Sequence, residues 1–142
     1  MSIYADTSFF ISLYVTDAHS QRARRQLEKH PRIWLTPLHR VETAHAIAQQ
    51  VFQRRISAAE ADRAYDNFEN DRRAGLWLEA PAPEAALDLA VELARRHVAR
   101  LGCRTLDTLH IASALELGAT KFWTFDQRQE RLAKAVGLTV LS

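Results

Sequence analysis

Apolar residues in this chain fall into short bursts separated by longer stretches in which they recur at helical spacing. Ile3-Tyr4-Ala5, Ile33-Trp34-Leu35, Leu76-Trp77-Leu78, Lys121-Phe122-Trp123-Thr124-Phe125 and Leu138-Thr139-Val140-Leu141 read as strands. Helical patterns fill the intervals. Ser8 to Val15 predicts a short apolar helix, and Gln21 to His30 a polar, arginine-rich one that Pro31 ends. Thr36-Pro37 opens the next, with Thr as N-cap and Pro at the first helical position. It reaches about Arg55, with Leu38, Val41, Ala44, Ala48 and Val51 as the expected core stripe. Ser57-Ala58-Ala59-Glu60 is a capping box that starts a helix to Arg73, stopped by Gly75, so these two helices form a hairpin inserted between strands. After a turn from Pro81 to Glu84, Ala86, Leu89, Ala90, Leu93 and Ala94 mark one side of a further helix, whose end is crowded with Arg95, Arg96 and Arg100. Thr105 is expected to cap a helix to Leu117 that is apolar around most of its circumference and therefore buried, with Gly118 closing it.

Alternation of strand and helix over this length implies an α/β chain with a mainly parallel central sheet and helices on both faces. The 142 residues suit one domain spanning 1–142, and no repeat or low-complexity linker divides them. Hydrophobic residues at 47% and charged residues at 25% give a globular balance rather than a disordered one. No apolar run is long enough to cross a bilayer and no signal peptide is read at the start, so no membrane partner is expected. The single cysteine, Cys103, cannot form an internal disulfide, which fits a cytoplasmic location, and nothing near it suggests a zinc site. Net charge is only +2 with a pI near 9.0, and most of the basic residues are arginines. That permits a nucleic-acid partner, although taken alone it is better explained by arginines on solvated helix faces paired with nearby acids.

Four acids change the picture. Asp6 ends the first strand just before a helix, and Asp126 ends the strand at Phe125. Glu42 stands beside the stripe of the third helix and is expected to point partly inward. Asp107 lies in the first turn of the buried helix, with His110 in reach as a core or supporting residue. Each acid has an ordinary explanation: Asp126 followed by Gln129 is a good N-cap, Asp107 satisfies a helix dipole, and Glu42 could pair with an arginine. In a parallel sheet, however, the carboxyl ends of the strands share one edge, and all four acids can reach it. Carboxylates gathered in a small volume require protonation or a cation. An oxygen-only donor set favours a hard ion, Mg²⁺ or Mn²⁺, and such an ion with open positions supports hydrolysis of a phosphodiester.

Tyr4-Ala5-Asp6-Thr7-Ser8, Arg40-Val41-Glu42, the run from Arg104 to Ala112 and Thr124-Phe125-Asp126-Gln127-Arg128-Gln129 together resemble the PIN-domain family. Within it the chain is most similar to the VapC-type ribonuclease toxins of toxin–antitoxin pairs, from Ile3 to the last strand. The resemblance implies a three-layer α/β/α fold and Mg²⁺ or Mn²⁺ held by Asp6, Glu42, Asp107 and Asp126. Ser8 and Thr124 would be supporting hydroxyls, and single-stranded RNA would be cut by hydrolysis. It further implies a homodimer and a cognate antitoxin. Two other readings stand beside it: a non-catalytic RNA- or protein-binding module on the same fold, and a small-molecule phosphohydrolase using Asp6 as nucleophile. The last expects an Asp two residues after the nucleophile, where this chain has Ser8.

Overall fold

The computed structural model describes residues 2–141. In chain order the elements are β1 (Ile3–Ala5), α1 (Thr7–Tyr14), α2 (Ser20–Lys29), β2 (Trp34–Leu35), α3 (Pro37–Phe52), α4 (Ala58–Arg73), β3 (Leu78–Glu79) and α5 (Ala85–Leu93). A π-helical stretch (Ala94–Val98), α6 (Ala99–Leu101), α7 (Thr105–Glu116), β4 (Lys121–Trp123), α8 (Gln127–Ala135) and β5 (Thr139–Leu141) follow. The chain gathers into two compact units, residues 2–6 with 81–141 and residues 7–80.

In the first unit, β4 lies between β1 and β5, and both pairings are parallel. Tyr4 is opposite Phe122 and their rings stack at 5.7 Å. β1 is buried without alternation, as expected where both faces are covered, and β4 nearly so, whereas β5 runs from exposed to half-buried. Backbone bonding runs one residue past the strands: Asp6 N–H donates to the Trp123 carbonyl at 3.0 Å and Thr124 N–H to that of Leu141 at 3.3 Å. Asp6 and Thr124 therefore lie at one edge, the carboxyl ends of parallel strands. Helix α7 is buried along most of its length, as its composition predicts. The helix after Pro81 is continuous to Leu101 but widens into the π stretch, which spacing alone did not foresee.

In the second unit, β2 and β3 pair parallel with each other, so the strands form a three-stranded and a two-stranded ladder, where a single sheet was expected. Helices α1, α3 and α4 enclose a cluster of Val15, Ile47, Ala61 and Ala64, flanked by Ile11, Tyr14, Val51 and Ile56. Phe10 meets Trp77, Phe68 and His39 edge-on. The expected capping box is present: Ser57 Oγ accepts from Glu60 N–H at 3.1 Å and Glu60 Oε1 accepts from Ser57 N–H. The expected stripe on α3 is corrected. The buried residues are His39, Thr43 and Ile47, whereas Val41 is 68% exposed and Ala48 is also exposed. His39 turns inward because its Nδ1 accepts the Thr36 backbone N–H at 3.0 Å, completing the helix cap from the third position. That rotates the core face one residue away from the apolar count.

Candidate active site

Within the first unit, three of the acids join one hydrogen-bonded network. Asp6 is buried at the end of β1, and Thr124, buried at the end of β4, donates its hydroxyl to Asp6 Oδ2 at 2.5 Å. The same hydroxyl stands 3.1 Å from Gln129 Oε1; it has a single proton, and the shorter contact assigns it to Asp6. Its oxygen accepts the Asp126 backbone N–H at 2.9 Å, so Thr124 ties the Asp6 carboxylate to the start of α8. Gln129, almost fully buried, extends from α8 toward the Asp107 carbonyl at 3.5 Å.

Asp126 is the N-cap of α8: Oδ1 accepts from Arg128 N–H at 2.8 Å and from Gln129 N–H at 3.0 Å. Its ordinary role is therefore real, and it uses one oxygen. Asp107 is buried in the first turn of α7. The N-cap there is Arg104 rather than the expected Thr105, because Asp107 Oδ2 reaches back to accept the Arg104 backbone N–H at 3.2 Å. The Arg104 guanidinium closes the network. Its Nε is 3.0 Å from Asp107 Oδ2, its Nη2 is 3.3 Å from Asp107 Oδ1, and Nη2 also stands 3.8 Å from Asp126 Oδ2. Cys103, just before it, donates its thiol toward the Arg128 carbonyl. Burial pushes that thiol above its ordinary range, and the charges of Asp107 and Asp126 add to the effect. His110 is buried on α7 and pairs through Nδ1 with the Tyr4 hydroxyl at 2.7 Å, a core arrangement.

Glu42 belongs to the second unit, half-buried on α3, where its Oε1 accepts the Thr7 hydroxyl at 2.7 Å. Thr7 is the residue that follows Asp6 in sequence. Ser8 is exposed at the start of α1. Among the described residues, no three or more His, Cys, Asp or Glu side chains form a ready-made metal cage. The donors that are present, carboxylate and hydroxyl oxygens, are of the hard type that suits Mg²⁺ or Mn²⁺. The Arg104 guanidinium that offsets part of the acidic charge has a side chain 69% exposed. Sequence reasoning gave no role to Arg104 or Thr7. Gln129 was read only as a companion to the Asp126 cap, and the reach of an arginine or threonine side chain leaves no trace in residue spacing.

The family model described as PIN domain matches residues 3–135. Ribonuclease VapC46 of Mycobacterium tuberculosis is 30% identical over 144 residues, which cover 99% of this chain and 97% of that protein. Among solved structures, Mycobacterium tuberculosis VapC20, a sarcin-ricin loop cleaving toxin, superimposes with a TM-score of 0.71 at 22% identity, over 96% of each chain. The VapBC2 structure from Rickettsia felis, bound to a DNA fragment from its promoter, gives 0.67 at 12% identity, over 99% of this chain and 98% of the other. At these identities the two structures bear on the fold alone, and they agree with the α/β class and parallel strands read from the sequence.

Proposed function

The chain belongs to the PIN-domain family, in its VapC-type ribonuclease branch, and from that premise we propose that it is a Mg²⁺- or Mn²⁺-dependent endoribonuclease that hydrolyses single-stranded RNA as the toxin of a toxin–antitoxin pair. The observation that carries the proposal is the network at the strand ends, in which Thr124 and Arg104 tie Asp6, Asp107 and Asp126 together. Asp6, Asp107 and Asp126 would hold the ion, and Glu42 joins them in this reading on the family resemblance. When bound, the cation would lower the pKa of a water and offset charge building on the phosphodiester.

The side chains have separable tasks. Thr124 fixes the Asp6 carboxylate by donating to one of its oxygens. The cap bonds to Oδ1 hold Asp126 so that Oδ2 faces Arg104. The Arg104 N–H orients Asp107 in the same way. A network so constrained presents carboxylate oxygens in fixed directions, as a positioned hydrolytic site requires. Ser8 is a further hydroxyl of this reading, its placement resting on the family resemblance. Residues 1–142 are read as one nuclease domain, since the family match runs across both compact units.

An antitoxin partner is supported by neighbours whose structures are toxin–antitoxin complexes, VapBC2 and the FitAB protein bound to DNA among them. A homodimer is part of the same proposal, with the exposed Leu87 and Val91 of α5 as apolar surface available for contact. No helix among the described residues is long and apolar enough to cross a membrane, and a cytoplasmic site of action belongs to the proposal. The test is incubation of the protein and its Asp6→Asn variant with a mixed RNA pool in Mg²⁺, Mn²⁺ or EDTA. Discrete, metal-dependent fragments are expected, reduced by more than about 100-fold in the variant, beyond the usual effect of a supporting residue. Equal cleavage by the variant would overturn the assigned site. Absence of both cleavage and metal-dependent stabilisation would favour a binding module.

A further inference from the structure

Arg104 brings a cation into the acidic network, and beyond tying Asp107 to Asp126 its side chain takes no part in the hydrolysis proposed. Its guanidinium engages both oxygens of Asp107 and approaches Asp126 Oδ2, so it spans two of the acids assigned to the ion. A positive fork in that position offsets one of the pair's two negative charges and repels an arriving divalent cation. We propose that Arg104 is a placeholder for the cation: it holds Asp107 and Asp126 until the ion arrives, then swings away to grip a backbone phosphate of the RNA.

Three features support an exchange over a fixed structural ion pair. The Arg104 side chain is 69% exposed while that of Asp107 is 10% exposed, so the arginine can leave and the acid cannot follow. Solvent around the exposed guanidinium screens the pair and can take over its hydrogen bonds when the side chain moves away. The Arg104 backbone N–H bonds Asp107 Oδ2 independently of the guanidinium, so the acid keeps its orientation when the side chain departs. A released guanidinium at the rim of the site, on a long stem, has the planar donor geometry that matches phosphate. The inference rests on the metal-dependent reading of the site and gives one of its residues two successive partners.

The experiment measures Mn²⁺ binding by calorimetry, and RNA cleavage, for the EDTA-stripped wild type, Arg104→Ala and Arg128→Ala. Arg128 supplies a charge control, because its backbone rather than its side chain meets Asp126. Arg104→Ala is expected to bind Mn²⁺ about two- to tenfold more tightly, the scale of a weak ion pair removed. The same variant should cleave RNA about tenfold less efficiently, mainly through a higher KM, as expected for a lost phosphate contact. Arg104→Lys keeps the charge and the stem and serves if the alanine variant fails to fold: tighter binding of smaller size is expected there. Weaker or unchanged Mn²⁺ binding in both Arg104 variants, in a wild type that does bind Mn²⁺, would overturn the placeholder and leave the metal site standing. Equal tightening in Arg128→Ala would overturn it too, as an effect of bulk charge. A wild type and variants that bind no Mn²⁺ would overturn the metal reading and this inference together.

Discussion

Asp126 divides its two oxygens between two duties. Oδ1 caps α8 through the N–H groups of Arg128 and Gln129, while Oδ2 faces Arg104 at 3.8 Å. Asparagine caps as well as aspartate and keeps an oxygen, but loses the charge. Asp126→Asn should therefore leave the unfolding free energy from urea titration almost unchanged, within a few tenths of a kcal/mol. Its cleavage rate should fall, yet by less than that of Asp6→Asn. A loss equal to or greater than that of Asp6→Asn, measured on the same RNA, would mean that the acids are ranked wrongly. Residues of this kind were legible in the sequence because their neighbours announced them: an acid at the end of an apolar burst, another three residues before a glutamine, a third in the first turn of a buried helix. Arg104 was not legible as a partner of two of them, since its guanidinium reaches back to Asp126 from a position 22 residues earlier.

Among the elements, α1 and α4 are joined by a half-buried phenol. The Tyr14 hydroxyl donates to Asp71 Oδ2 at 2.6 Å, and burial, followed by the bond to Asp71 and its negative charge, pushes the Tyr14 pKa well above its ordinary range. The raised value fixes the sign of the pH dependence. The contribution of Tyr14 to stability is complete below about pH 10, where tyrosine in the unfolded chain is also protonated. It declines as the pH rises past that point, because the unfolded chain releases the proton that the folded chain retains. Tyr14→Phe should thus cost about 1 kcal/mol or more at neutral pH, the value of a hydrogen bond to a charged group. The gap to wild type should shrink between about pH 10 and 11. Thermal melts of both proteins across that range check this, and a constant gap would show that the phenol is not held protonated. Capping was the most readable property of the elements, as Thr36-Pro37 and Ser57 to Glu60 show. The inward face of α3 was the least readable. Small and apolar residues are spread around that helix, so counting them could not fix its phase, and a histidine bonded to the Thr36 backbone set it instead.

For the chain as a whole, alternation of strand and helix predicted parallel pairing correctly but not its partition. β2 and β3 are only two residues each and pair with each other, and nothing in so short a run says which strand it will join. Charge has the same limit. Lys and Arg number 19 against 17 Asp and Glu, so the net charge hardly favours RNA, and the distribution of arginines must decide. Some are already spent within the chain, where Arg72 pairs with Glu69 and Glu79 and Arg96 pairs with Glu92. The ordinary reading of the arginines is correct for these two. If others, Arg104 among them, grip phosphates, RNA affinity must depend on salt. For single strands the logarithm of the binding constant should fall with the logarithm of salt by about 0.7 per phosphate contacted. Three contacts would then weaken binding by roughly tenfold to twentyfold between about 50 and 200 mM KCl. Anisotropy of a labelled RNA with the Asp6→Asn chain, which should bind without cutting, measures the slope directly. A slope near zero would mean that the remaining arginines, like Arg72 and Arg96, serve the protein's own acids, and that RNA is held by other means than its backbone charge.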